Sequence, residues 1–251
     1  MLVGRVEDDR GVVRDVVAGP GESVLARAPD GRAGEPVIVR SWLPPVTPSK
    51  IIGIGANFPG DESVPGPYPS FFVKAGSAVV GHGASVPLPH VFTTLAAEGE
   101  LALVIARPAR DVPLDRVESY VLGYTIINDL SGRDTSLPYV PPSLKKSCDG
   151  LAPLGPWLLL DPRPQPRSIE TYVNGRLAGK GNTADLTFSP FFCVAYLSSL
   201  MTLLPGDVIA LGCPPPKPHL AAGDACEVRI EGLGALETRI VEPRSVPPQR
   251  T

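Results

Sequence analysis

Two glutamates, Glu98 and Glu100, stand on either side of a glycine at the head of the apolar run E-L-A-L-V-I-A, residues 100–106. On a β-strand alternate side chains share a face, so both carboxylates point the same way, their Cα atoms about 7 Å apart. Two like charges beside apolar surface repel each other unless protons or a cation neutralise them. Hard carboxylate oxygens suit Mg²⁺, Mn²⁺ or Ca²⁺ better than zinc or copper. A third acid, Asp129, follows another apolar run at residues 121–128 and leads into the polar turn Ser131, Gly132, Arg133, Asp134. Spacing alone leaves two readings open: a metal site, or surface strands carrying outward acids.

The elements that must position these acids are mostly short strands. The chain holds 31 prolines, well above a usual share of about 5%, and proline breaks helices and removes a backbone donor. A small leading section, residues 1–45, carries β-like pieces at 11–17 and 35–39. The main domain, residues 46–251, opens with a buried strand, Lys50-Ile51-Ile52-Gly53-Ile54-Gly55, followed by a Pro/Gly/acid-rich loop at 57–69. Further strands are expected at 71–74, 77–80, 100–106, 121–128, 157–160, 171–174 and 208–211. Cys226, Val228 and Ile230 alternate with Glu227, Arg229 and Glu231, the period of a half-buried strand. Residues 114–119 suit a short helix. Residues 191–201 form the best helix, apolar all round and therefore buried. Residues 129–146 read as loop, because Pro138, Pro141 and Pro142 prevent a long helix.

Bulk properties exclude several function classes. Formal net charge is −3, and no basic stripe appears, which argues against nucleic acid or an anionic membrane as partner. No apolar run approaches the roughly 20 residues of a membrane helix. The start M-L-V-G-R-V-E-D-D-R lacks the apolar stretch of a signal peptide, and the expectation is a cytoplasmic protein. Cys148, Cys193, Cys213 and Cys226 are scattered, with no C-x-x-C, as expected of reduced thiols.

Between residues 42 and 241 the chain resembles the fumarylacetoacetate hydrolase superfamily. The stretch W-L-P-P-V-T-P-S-K-I-I-G-I-G-A-N-F is similar to the approach to that family's first active-site loop, and F-F-V-K-A-G-S-A-V-V-G to its next strand pair. A-E-G-E-L-A-L-V-I-A resembles its metal-binding strand, and Y-T-I-I-N-D-L-S-G-R-D carries the third metal aspartate at Asp129. L-K-K-S-C-D-G-L-A-P-L-G-P-W places the active-site lysine at Lys146, and V-N-G-R-L-A-G-K-G-N-T a substrate-binding threonine at Thr183. L-P-G-D-V-I-A-L-G-C-P looks like a closing turn. The resemblance implies a mainly β fold with a few helices, a mixed β-sandwich roll, usually assembled as a homodimer. It also implies Mg²⁺ or Mn²⁺ on Glu98, Glu100 and Asp129, holding a 2-oxo acid or 1,3-dicarbonyl substrate whose enolate the cation stabilises. Arg133, Thr183 and His219 are the expected substrate-binding residues.

The chain departs from that pattern where hydrolytic and decarboxylating members carry N-Y-x-x-H-x-x-E, a dyad that moves protons or activates water. Here the stretch reads N-F-P-G-D-E-S-V: Phe58 replaces tyrosine, Asp61 falls at the histidine and Val64 at the glutamate. Asp61 and Glu62 are candidate replacement bases, or ordinary exposed acids of a Pro/Gly loop. His82 and His90 sit in turns and read as solvated. Ser136 and Gly179 stand where glutamines are frequent, and Cys213 where threonine is. These losses, beside intact metal ligands and Lys146, point toward decarboxylation, isomerisation or rearrangement more than hydrolysis. A catalytically silent binding or assembly subunit is the alternative; the retained repelling carboxylates argue against it.

Overall fold

The computed structural model describes residues 1–19, 23–60, 66–135, 137 and 139–243. Among them the strands form an eleven-stranded sheet, a five-stranded sheet, and smaller sheets of three and two strands. The fold is mainly β with few helices, as expected. Along the large sheet run Ser70–Ala75, Lys50–Gly55, Val208–Ala210, Gly99–Ile105, Val121–Asn128, Leu158–Leu159 and Leu2–Asp8. Neighbours are antiparallel except for the parallel pair Lys50–Gly55 and Val208–Ala210. The strands between Leu2 and Leu43 extend the sheet through the pairs Leu2↔Leu159 and Val3↔Leu158.

Alternation along these strands builds two apolar layers. Leu101, Leu103 and Ile105 face the larger core, where they meet Ile169, Val228, Ile230 and Ile240 of the five-stranded sheet. Ala102 and Val104 face the other way, into a smaller cluster with Ile51, Ile127, Val208 and Ala210. Gly99–Ile105 is therefore buried throughout, which explains why it reads as an unbroken apolar run. The strand Ala225–Ile230 has Cys226, Val228 and Ile230 buried, as its alternation predicts.

Helix α1 (Pro142–Ser147) and helix α2 (Pro190–Leu200) are the α-helices among the described residues. Helix α2 starts where the Ser189 hydroxyl accepts from the Phe192 N–H, with Pro190 in the first turn. It buries Cys193, Val194 and Leu197 against the main core. Helix α1 corrects the loop expected over 129–146. Pro142 occupies its first turn, where a missing N–H costs nothing, so the proline starts the helix. Ser131–Arg133, in the same stretch, is a strand paired with Thr94–Ala96. Residues 114–119 fall within a 3-10 helix, Leu114–Tyr120.

Asp207 ties the two parallel strands together at their starts. Its buried carboxylate accepts from the Ser49 hydroxyl (2.6 Å), the Ser49 and Lys50 N–H groups (3.2 Å each) and the Leu204 N–H (2.7 Å), and it pairs with the Lys50 ammonium. Burial alone would raise its pKa; the donors from Lys50, Ser49 and Leu204 outweigh burial and hold it below the usual carboxylate value.

Candidate active site

Strand register brings the three acids together. Glu100 pairs with Ile127 and Gly99 with Asn128, and the Asp129 N–H donates to the Glu98 carbonyl at 2.8 Å, which extends the ladder by one pair. Glu98, Glu100 and Asp129 thus share the face of Ala102 and Ile127. One carboxylate oxygen from each lies within 4.8 Å of the other two, and all three residues are buried. The glycine between the glutamates lets the sheets close up behind them. A Cβ at Gly99 would lie 2.7 Å from both Thr171 Oγ1 and Val228 Cγ1.

The neighbours on that face are cations. Lys74 pairs with Ile51 across the strands and so points to the same side. It is fully buried, pairs with Asp129 Oδ1 and donates to the Leu130 carbonyl at 3.0 Å. Lys146, from helix α1, donates to Asp129 Oδ2 at 2.5 Å and Glu98 Oε2 at 3.1 Å. Its ammonium lies 4.5 Å from the centre of the Phe72 ring. Glu98 also accepts from the Ser131 hydroxyl at 2.6 Å, and Glu100 from the Gly212 N–H at 2.7 Å.

Electrostatics follow from this crowding. Burial, then the charges of Asp129 and Glu98, push the Glu100 carboxyl well above its ordinary range. Burial would also raise Asp129, but Lys146 and Lys74 outweigh it and hold that carboxyl low. Lys146 is the reverse case: burial works against its charge, yet Asp129 and Glu98 raise its pKa above the ordinary lysine value. Burial pulls Lys74 down despite Asp129 alongside. Three converging carboxylates, one of them disfavoured as an anion by its neighbours, form a hard-oxygen donor set that suits a divalent cation. The Cys213 thiol beside them donates to the Pro214 carbonyl at 3.3 Å.

Glu98, Glu100, Asp129, Ser131, Lys146, Phe72 and Cys213 line a cavity of about 280 Å³, with Gly55, Ala56, Arg133 and Lys145 also in its wall. Buried Asn57 is itself held just past the strand Lys50–Gly55. Its side chain donates to Leu211 O at 2.7 Å and Phe188 O at 3.2 Å and accepts from the Phe188 N–H at 2.7 Å.

The family model described as Fumarylacetoacetate (FAA) hydrolase C-terminal matches residues 50–241. The chain belongs to the fumarylacetoacetate hydrolase family. A crystal structure of 5-carboxymethyl-2-hydroxymuconate delta-isomerase from Mycobacterium smegmatis superposes with a TM-score of 0.87 at 32% identity, covering 98% of this chain and 100% of that one. An uncharacterized protein of Archaeoglobus fulgidus is 41% identical over 211 residues, 82% of this chain and 84% of that protein. The 4-hydroxyphenylacetate degradation bifunctional isomerase/decarboxylase of Salmonella dublin is 37% identical over 199 residues, 76% of this chain and 46% of that protein. The chain is an enzyme of the fumarylacetoacetate hydrolase family.

Within this family fold the expected site residues divide. Glu98, Glu100, Asp129, Lys146 and Arg133 share one cavity. Thr183 does not join them: its hydroxyl accepts from the Arg167 N–H at 2.8 Å, and it lines a separate cavity with Leu101 and Leu186. The 3-10 turn Thr183–Asp185 starts there and turns that side chain back onto the Arg167 segment. His219 lies outside the cavity lining, half-exposed, with Nδ1 3.4 Å from Asp134 Oδ2. Asp61, Glu62, Val64 and Ser136 lie outside the described residues. Sequence reasoning passed over Lys74, Ser131 and Lys217. Lys74 had left a signal, a lysine within the apolar strand F-F-V-K-A, because a lysine is almost never fully buried without a partner. Ser131 sits in a polar turn and Lys217 in a proline-rich loop, and neither left one.

Proposed function

We propose that the chain acts on a 2-oxo acid or 1,3-dicarbonyl compound through its enolate, with Mg²⁺ or Mn²⁺ on Glu98, Glu100 and Asp129. The observation that carries this is the convergence of three buried carboxylates in the wall of the cavity that also receives Lys146. The cation, when bound, polarises the chelated carbonyl and stabilises negative charge on its oxygen. Lys146 adds a fixed positive charge beside those oxygens, and its own proton is held firmly by Asp129 and Glu98. Lys74 sits behind Asp129 and keeps that carboxylate ionised and oriented. Arg133, with Nη2 3.7 Å from Glu98 Oε1, stands where it can orient a substrate carboxylate. Phe72 walls the cavity beside Lys146, its ring against the ammonium.

Among the described residues no histidine lines this cavity. That supports isomerisation over hydrolysis, because no described side chain there is an imidazole base for activating water. The names of the Mycobacterium smegmatis and Salmonella dublin relatives agree with this emphasis. Asp61 and Glu62 are the side chains proposed to move the proton. We place the enzyme in the cytoplasm and propose a homodimer; among the described residues no helix is long and apolar enough to cross a membrane.

Proton NMR in D₂O tests the chemistry. The Mg²⁺-loaded protein is expected to accelerate exchange of the C3 hydrogens of 2-oxobutanoate, and Lys146→Met to slow that exchange by about 10²–10³-fold, the loss typical of one electrostatic donor. Acylpyruvate cleavage is expected to be slow. Absence of catalysed exchange, or rapid acylpyruvate cleavage, would contradict the reading.

A further inference from the structure

Asn57 reaches Glu100 through a peptide bond rather than by direct contact. It lies two residues past the strand Lys50–Gly55, and Leu211 and Gly212 directly follow the strand Val208–Ala210. Those strands are parallel neighbours with Gly53 opposite Ala210, so both segments leave the sheet at the same end. Gly99–Ile105 runs on the other side of Val208–Ala210, and there the Leu211 N–H donates to the Leu101 carbonyl at 3.0 Å. The Leu211–Gly212 peptide is thereby seated between Asn57 and Glu100.

The two contacts of that peptide line up. Its carbonyl accepts from Asn57 Nδ2 at 2.7 Å, and its N–H donates to Glu100 Oε2 at 2.7 Å. A trans peptide is planar, with C=O and N–H pointing in opposite directions, so a donor that fixes one end aims the other. Hydrogen bonds in such a chain also strengthen one another inside a protein. The amide that starts the chain has one workable orientation. Its Nδ2 donates to both the Leu211 and Phe188 carbonyls while its Oδ1 accepts from the Phe188 N–H; flipping it would set oxygen against carbonyl oxygen. Gly212 permits the close approach. Its φ is +101°, and a Cβ there would lie 2.9 Å from Asn57 Cβ.

We propose that Asn57 is a positioning residue for the cation site: through the Leu211–Gly212 peptide it holds the Glu100 carboxylate in the orientation in which it meets Glu98 and Asp129. The inference rests on the reading of those three acids as a cation site. Electron paramagnetic resonance of free Mn²⁺ measures affinity in the full chain, and urea denaturation measures stability. Asn57→Leu, which keeps the size of the side chain without its amide, is expected to bind Mn²⁺ about tenfold more weakly, the lower end of what losing an outer hydrogen-bond partner costs a metal site. Asn57→Ser is the second variant, with the same loss expected. Both also lose the Phe188 contacts, so stability falls as well. Ser189→Ala removes the neighbouring cap of helix α2 and provides the control: it lowers stability and leaves Mn²⁺ affinity unchanged. The route through Glu100 is read from coupling between substitutions. Combined with Glu100→Ala, the Asn57 substitutions weaken Mn²⁺ binding no further; combined with Asp129→Asn, the tenfold loss persists. Wild-type affinity in both Asn57 variants, an equal loss in Ser189→Ala, or a tenfold loss that survives in Glu100→Ala overturns the proposal. A wild type that binds no Mn²⁺ is a distinct outcome, which removes the cation-site reading and this inference with it.

Discussion

Lys146 and Lys74 grip the two oxygens of one aspartate, Asp129, while Glu98 meets Lys146 and Arg133 and Glu100 has the Gly212 N–H as its hydrogen-bond donor. The two lysines therefore have different dependences. Removing Lys74 leaves a buried anion short of a partner, and Lys74→Met is expected to cost about 3–5 kcal/mol of stability in the metal-free protein. Urea denaturation measures this; a variant as stable as wild type would mean that Lys74 sits there neutral and contributes no ion pair. At this scale the sequence was informative where residue type is scarce in its surroundings. Two acids framing a glycine before an apolar strand are conspicuous, and so is an aspartate ending one. The motifs around Arg133 and Lys146 single them out as candidates, and the structure sets both in the wall of one cavity. Thr183 lines a separate cavity because a hydroxyl's partner depends on how a 3-10 turn directs it, which its sequence neighbours do not specify.

Elements set the precision of the site. Gly99 packs directly on Thr171 and Val228 of the five-stranded sheet behind the acids, and Gly99→Ala forces a methyl into contacts of 2.7 Å. An overpacking loss of about 1–3 kcal/mol is expected, together with weaker cation binding as Glu98 and Glu100 shift. Unchanged denaturation midpoint and unchanged affinity would contradict it. Asp207 acts at the starts of the parallel strands, and Asp207→Asn is expected to cost about 1–3 kcal/mol at neutral pH. The pH dependence has a definite sign. The folded carboxyl is held below its unfolded value, so its stabilisation is fully present above about pH 4 and is lost as pH falls through the lower folded value. The gap between wild type and variant should then shrink only below about pH 4; a gap that instead closes between pH 5 and 8 would refute the assignment. Strands such as Val121–Asn128 were legible from their apolar runs. Ser131–Arg133 was not, since three polar residues become a strand only through pairing with Thr94–Ala96. Helix α1 was hidden because Pro142 reads equally as a stop or a start.

For the whole molecule, order of motifs along the chain carried more than any local pattern, because the acids come from strands that only the sheet makes neighbours. Helix α2 is buried as its apolar content predicts: Cys193, Val194 and Leu197 turn into the chain's own core and leave Leu200 exposed. The proposed homodimer therefore rests on more than that helix, and light scattering should give twice 26.4 kDa; a monomer at micromolar concentration would end it. Calling residues 1–45 a separate section is likewise a proposal, since its strands continue the large sheet. The account as a whole turns on one cation site per chain. Calorimetric titration of Mn²⁺ into wild type, Glu100→Gln and Asp129→Asn is the direct test. The account predicts one ion per wild-type chain and at least about a hundredfold weaker binding in both variants, about 2.7 kcal/mol or more, with the fold retained. Equal affinity in all three proteins would contradict it.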